Sequence, residues 1–305
     1  MSARADTRVG PYNVNPRKHF DIPLPDGRAL ALGERCLVMG ILNITPDSFA
    51  ETYSKLDPAR ALDAALRMEA AGADIIDIGG ESTRPGAEPV GPDVEAARIL
   101  PVLQALAGRL RIPVSVDTSK ADVARAALAA GAVIVNDVSG LCQDPAMAQV
   151  VAASGAALVL MHMRGNPKAM YSEAVYTDVV ADVTRELHER LSAAAAAGIP
   201  RDRVILDPGI GFAKRPSHSY GVLARLPELA AALERPLLVG PSRKSFMREA
   251  VGERPAHERD WGTAAAVTAA VLAGAHIVRV HAVEEMVQVV RVAEEIRKQG
   301  LRAET

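Results

Sequence analysis

The sequence predicts an α/β protein: a (β/α)8 TIM barrel preceded by an N-terminal β-hairpin. Three observations carry this. Eight short runs rich in Val, Ile and Leu recur along the chain, near-continuously apolar, as parallel strands covered by helices should be. Amphipathic segments separate them. Eight such alternations in roughly 270 residues match the count and length of the barrel, and their regularity favours closure over a doubly wound open sheet.

In chain order, HFDIPLPDGRAL (19–30) comes first. It holds two short extended pieces around Pro25-Asp26-Gly27, a hairpin that would cover the barrel bottom. The strand runs follow: CLVMGILN (36–43), IIDIGG (75–80), PVSVDT (113–118), VIVNDV (133–138), ALVLMH (157–162), VILDPG (204–209), PLLVGPS (236–242) and HIVRVH (276–281). The helix over 57–71 has Asp57 as N-cap, Pro58 at its first position and Gly72 at its end. Ala59, Leu62, Leu66 and Ala70 are expected on its buried face. The last helix, about 283–298, repeats the pattern through Val283, Met286, Val287, Val290 and Ile296. Gly-Ala pairs at 72–73, 131–132, 155–156 and 274–275 read as a helix stop followed by a strand start. Residues 1–18 are expected to form a flexible extension and 19–300 a single domain.

Composition narrows the function. The chain has 305 residues, 49% of them hydrophobic, with a mean hydropathy of +0.08, so a substantial core is available. Aromatics at 3% and a net charge of −2 argue against a nucleic-acid partner. Cys36 and Cys142 share no motif spacing, which points to a reducing cytoplasm. No stretch is long and apolar enough to span a bilayer, and the N-terminus lacks an apolar signal-like core, so no membrane partner is expected.

A barrel of this kind places its site at the C-terminal strand ends, and here all eight are polar. They carry Asn43, Asp77 with the ESTRPG stretch, Asp117, Asn136-Asp137, His162, Asp207, Ser242-Arg243-Lys244, and Arg279 with His281. Each alone has an ordinary explanation. Asp117 or Asp207 could cap the next helix, Asn136 could satisfy loop backbone, His162 could be structural, and Lys244 and Arg84 could be solvated. Capping, however, does not predict acids, amides and cations gathered on one rim. Asp117, Asn136 and Asp207 suit a flat heterocycle with adjacent N–H donors and a carbonyl. Arg84, Lys244, Arg279 and His281 suit phosphate or carboxylate. SRKSF (242–246), running from a strand end into a helix, suggests an anion seat.

These residues resemble one family. GILNITPDSF (40–49), DIGGESTRPGA (77–87), SVDTSK (115–120), NDVSG (136–140), LMHMRG (160–165), LDPGIGFAK (206–214), SRKSF (242–246), RDWGTAAA (259–266) and RVH (279–281) are together similar to dihydropteroate synthase, the sulfonamide-inhibited enzyme of folate biosynthesis. The resemblance implies the same barrel, and a transferase that joins 6-hydroxymethyl-7,8-dihydropterin diphosphate to p-aminobenzoate with Mg²⁺ as cofactor. It implies that Asp117, Asn136, Met161, Asp207, Phe212 and Lys244 hold the pterin. Asn43 would help place Mg²⁺ and diphosphate, with Arg279 and His281 on the phosphates. Ser245 would take the p-aminobenzoate carboxylate, and Phe49, Thr83 and Arg84 would sit on mobile loops over the site. Catalysis would rest on Asp117, Asp207, Lys244, Arg279 and His281. A homodimer is expected.

The sequence departs from the family pattern in three places. Glu51-Thr52-Tyr53 stand for an Asp and two glycines, Ala213 replaces the glycine of Phe-Gly-Lys, and Ala282 follows His281 where Asp is common. Three other readings compete: a pterin-binding methyltransferase barrel, a Schiff-base aldolase using Lys244, and a non-catalytic pterin-binding barrel.

Overall fold

The computed structural model describes residues 16–45, 57–82, 88–165 and 172–302. Strands β1 (Phe20–Pro23) and β2 (Ala29–Leu32) pair antiparallel, as the Pro25-Asp26-Gly27 turn predicts. Gly27 has φ +82°, and Asp26 Oδ1 accepts from Arg28 N at 3.0 Å, which fixes the turn.

Eight parallel strands follow: β3 (Leu37–Asn43), β4 (Ile75–Gly79), β5 (Val114–Asp117), β6 (Ile134–Asp137), β7 (Ala157–Met161), β8 (Val204–Asp207), β9 (Leu238–Val239) and β10 (Ile277–Val280). Their order is β8-β7-β6-β5-β4-β3-β10-β9, and a parallel bridge between Leu206 and Leu237 brings the two ends together. This is the predicted barrel. Its outer layer is α1 (Pro58–Ala71), α2 (Pro92–Leu106), α3 (Ala121–Ala129), α4 (Met147–Ser154), α5 (Val179–Ala196), α6 (Pro216–Ala224), α7 (Leu226–Leu233), the single turn α8 (Arg248–Val251), α9 (Asp260–Leu272) and α10 (Val283–Arg302).

Strand periodicity sorts the core into two. Val38, Ile76, Val116, Val135, Leu158, Leu206 and Val278 face outward and pack with the helices. Met39, Ile75, Val159, Ile205, Leu238 and Ile277 cluster instead with Ile22, Leu24, Leu30 and Leu32 of the hairpin. The hairpin therefore closes the bottom, and the lower lumen is apolar. What remains for the upper lumen is the polar ends of the strands.

Helix limits follow the sequence signals closely. Asp57 accepts from Ala59 N at 3.0 Å, and Gly72 ends α1 in the left-handed region. All four Gly-Ala pairs behave alike, with the glycine at positive φ and the alanine buried. Three expectations need correction. The buried face of α1 is Ala61 and Ala65, not the stripe through Ala59 and Ala70, which are exposed. Alanines have no bulk to direct the helix, so its rotation is set by how closely it approaches the sheet. On α10, Ile296 is exposed while Ala293, Glu294 and Arg297 are buried, because charged groups take the inner positions at its end. Ordered packing also begins before residue 19. Arg17 is buried, donates to Val271 O at 3.1 Å and sits 2.7 Å from Glu294 Oε1. No helix among the described residues is long and apolar enough to cross a membrane.

Candidate active site

The upper lumen is built from positions that strand alternation turns inward. Asp77 lies mid-way along β4, between outward Ile76 and Ile78; Asp117 ends β5, Asn136 lies in β6, Asp207 ends β8 and Arg279 lies in β10. They converge. Arg279 donates from Nε to Asp77 Oδ2 and from Nη2 to Asp117 Oδ2, each at 2.6 Å, and Asn136 Nδ2 donates to Asp77 Oδ2 at 2.9 Å. The planar guanidinium spans both acids at once, which an ammonium would do poorly. Asp77 Oδ1 is buried without a hydrogen-bond partner among the described residues.

Two carboxylates share one cation here, and ionisation shifts accordingly. Burial pushes the Asp117 carboxyl up to about 7, with Asp77 adding to the rise and Arg279 opposing it. Burial also raises Asp207, against the pull of Lys244 and the Gly209 N–H at 2.7 Å. Burial alone would lower Arg279, but Asp77 and Asp117 outweigh it. A ligand presenting N–H groups would favour the ionised acids.

Beside this ring stands an apolar wall. Met161, Met163, Phe212 and Ala213 form one buried cluster. Lys244 lies 4.3 Å above the Phe212 ring and donates to Ile210 O. Burial draws its ammonium down to about 8, with Asp207 opposing. Lys244 is thus a lumen group, not a solvated one. Acids and an amide on one side and a flat apolar face with a cation on the other can grip a planar heterocycle by edge and face together.

The anion-facing residues are less uniform. Asn43 ends β3, its Oδ1 3.6 Å from where a Cβ on Gly79 would stand, beside Asp117. A Cβ at position 79 would stand in ordinary contact with both groups. Ser242 Oγ lies 2.9 Å from His281 Nδ1 and accepts from His281 N at 3.2 Å, joining the ends of β9 and β10. Ser245 begins a 3-10 turn, Ser245–Met247, before the single turn α8, so SRKSF does not open a full helix as expected. Arg243, at φ +59°, turns away to Asp260 at 2.8 Å. The expected separation into an acidic and a cationic half does not hold either, since Arg279 sits among the acids. Phe49, Thr83 and Arg84 lie outside the described residues. Among the described residues no cluster of three or more His, Cys, Asp or Glu could hold a metal ion.

The ordinary explanations are resolved by position. Helix α3 is capped by Asp144, which accepts from Ala121 N at 2.8 Å, and α6 begins at Pro216, so neither Asp117 nor Asp207 is a cap. Asp137 is structural, accepting from Ser139 N and Leu141 N at 2.8 Å. His162 is buried between Glu186 and Lys214, each 2.9 Å away, and burial holds its imidazole down to about 3, as a structural histidine should be held. Two buried charged groups received no site role from the sequence. Asp77 was signalled by an acid flanked by outward isoleucines. Lys214, almost wholly buried, was signalled by a lysine closing an apolar GFA run.

A closed parallel barrel whose upper lumen gathers acids, an amide and cations is the architecture of a pterin binding enzyme, and the family so described matches residues 39–281. The dihydropteroate synthase of Synechocystis sp. is 46% identical over 277 residues, covering 90% of this chain and 96% of its own. That of Escherichia coli K12 is 45% identical over 257 residues, covering 84% and 90%. The Yersinia pestis enzyme, solved with a sulfonamide drug, superposes with a TM-score of 0.85 at 42% identity, covering 92% of this chain and all of that one. The Burkholderia cenocepacia enzyme, solved with 7,8-dihydropteroate, gives 0.83 at 40% identity, covering 93% and 98%. The chain belongs to the dihydropteroate synthase family.

Proposed function

We propose that this chain joins 6-hydroxymethyl-7,8-dihydropterin diphosphate to p-aminobenzoate, forming 7,8-dihydropteroate and pyrophosphate. The observation that carries the reading is the cluster of Asp77, Asp117, Asn136 and Arg279 beside Asp207, facing the Phe212–Met161 wall. Asp117, Asn136 and Asp207 receive the N–H edge of the pterin, and Lys244 lies along its face. Met161 and Phe212 exclude water from the reacting carbon. Arg279 makes no hydrogen bond from Nη1 among the described residues, which leaves donors for the diphosphate beside His281. Ser245, with Phe49, Thr83 and Arg84, meets the p-aminobenzoate carboxylate.

The C–O bond to diphosphate breaks, the electron-rich pterin supports the positive charge left on the exocyclic carbon, and the arylamine nitrogen then closes the C–N bond and loses a proton. Positioning and charge neutralisation supply the catalysis, and no covalent nucleophile is required. The donor set fits Mg²⁺ only as an ion held chiefly by diphosphate and water, with the Asn43 amide oxygen as its protein partner. Bound there, Mg²⁺ would neutralise leaving-group charge.

The chain acts as a homodimer in this reading. Trp261 on α9 is 90% exposed and Val292 on α10 is 62% exposed, and these two helices pack side by side. The absence of disulfides at Cys36 and Cys142 supports a cytoplasmic setting. Pyrophosphate release from pterin diphosphate, with and without p-aminobenzoate, tests the reaction. Release should require both substrates, and release indifferent to p-aminobenzoate would refute the synthase.

A further inference from the structure

The turn between β8 and α6 carries an unusual load. Gly209, Gly211 and Ala213 alternate in the left-handed region at φ +68°, +77° and +46°. Between them stand two functional groups of the pocket: the Ile210 carbonyl that receives Lys244, and the Phe212 ring beneath it. The turn has ties of its own, Phe212 N to Gly209 O at 3.0 Å, Gly209 N to Asp207 Oδ1 at 2.7 Å and Gly211 N to Ser219 Oγ at 3.2 Å, but none of them reaches the carbonyls of Phe212 and Ala213. Those two carbonyls are restrained from below.

Lys214 follows the turn, and its ammonium folds back under it. Nζ donates to Phe212 O at 3.2 Å and lies 2.9 Å from His162 Nδ1. His162 Nε2 in turn lies 2.9 Å from Glu186 Oε2 on α5, and Glu186 is paired with Arg164. Tyr176 adds a second tie, donating its OH to Ala213 O at 2.9 Å beneath the Arg164 guanidinium. The line Lys214–His162–Glu186 thus fastens the β8–α6 turn to the end of β7, whose Met161 shares a cluster with Phe212. An apolar side chain would fill the same space at less desolvation cost, since His162 Nδ1 and Phe212 O, the two hydrogen-bond acceptors facing Lys214, are neutral. A lysine there therefore has to do something other than fill the core.

We propose that Lys214 is a positioning residue for the heterocycle pocket, its ammonium, steadied by His162 and Glu186, fixing the 208–213 turn and through it the Phe212 ring and the Ile210 carbonyl that seats Lys244. The proposal rests on the pterin reading above and adds a group that does not touch the substrate. It assigns Lys214 to pterin binding and leaves p-aminobenzoate to other parts of the rim.

Lys214→Met tests it, with pterin diphosphate binding followed by calorimetry, both KM values by steady-state kinetics, and the same substitution repeated on Phe212→Leu. The expected result is a loss of about tenfold or more in pterin affinity with the p-aminobenzoate KM unchanged, as a displaced wall would give. The loss should shrink to about twofold on Phe212→Leu, because the route through that ring is already gone. Pterin affinity within twofold of wild type, an equal rise in both KM values, or an undiminished loss on Phe212→Leu overturns the proposal. If Lys214→Met does not fold, Glu186→Gln replaces it and is judged by the same split. Wild-type protein that binds no pterin diphosphate overturns the functional reading itself, whereas equal binding by wild type and variant overturns the positioning role alone.

Discussion

At the scale of the residue, the decisive contrast is between two buried carboxylates that look alike in sequence. Asp207 faces one backbone N–H and the field of Lys244, and Asp117 shares Arg279 with Asp77. Asp207→Asn should weaken pterin binding by roughly 1.5–3 kcal/mol with little change in folding, because an amide matches only one of two N–H groups. Unchanged affinity in calorimetry would remove it from the site. Asp117 makes a pH prediction whose sign is fixed by its raised value. Between 3.8 and about 7 the folded protein holds a proton that the unfolded chain has lost, so the stability of the free protein falls as pH rises through that window. Pterin affinity should move the opposite way, strengthening up to about pH 7 as the acid ionises to meet N–H donors. Asp117→Asn should remove the Asp117 share of the stability slope and of the rise in affinity, leaving the shares of Asp207 and Asp137, which burial also raises; slopes as steep as wild type would assign the titration elsewhere. The identities of these groups were legible in the sequence as strand-end chemistry. Their partners were not, because Arg279 and Asp77 are 202 positions apart and only barrel closure sets them side by side.

At the scale of the element, the sequence was most legible where local chemistry decides. The Asp57 cap, the Gly-Ala stops and the Pro25-Asp26-Gly27 hairpin depend on neighbours within a few residues, and all fall where expected. The rotation of α1 and the brevity of α8 depend on what the helix meets across the chain, and those were misread. The β8–α6 turn offers a test of local strain. Ala213 adopts φ +46° where the family usually has glycine, a conformation that costs an L-residue about 1–2 kcal/mol. Ala213→Gly should relieve this, less about 0.5–1 kcal/mol for the freer unfolded chain. A net gain of about 0.5 kcal/mol is expected in urea unfolding. A loss above about 1 kcal/mol would mean that the buried methyl matters more than the backbone.

At the scale of the whole molecule, the two substrates make different demands. The heterocycle pocket consists of strand ends and one braced turn. Beyond β4, Glu81 accepts from Val90 N at 3.2 Å and is ion-paired with Lys120, which also holds Glu95, so the chain is tied on both sides of 83–87. The p-aminobenzoate site is therefore expected to complete itself only on diphosphate, giving ordered binding with the pterin first. Titrating p-aminobenzoate into the protein alone, and into protein with pyrophosphate, Mg²⁺ and a pterin, should show tighter binding in the second case; equal affinity would mean a preformed site. The pairing of β3 with β10 has a consequence in time. The first barrel strand to leave the ribosome waits for the last, and the guanidinium that answers Asp77 and Asp117 rides on that last strand. Until β10 has been made, the nascent chain carries two acids destined for a dry interior and no cation to meet them, along with open sheet edges at β3 and β8. Every molecule must pass through that interval, so ribosome-bound chains stalled ahead of Ile277 should be protease-sensitive along the whole barrel, and chaperones will find their work before β10 emerges.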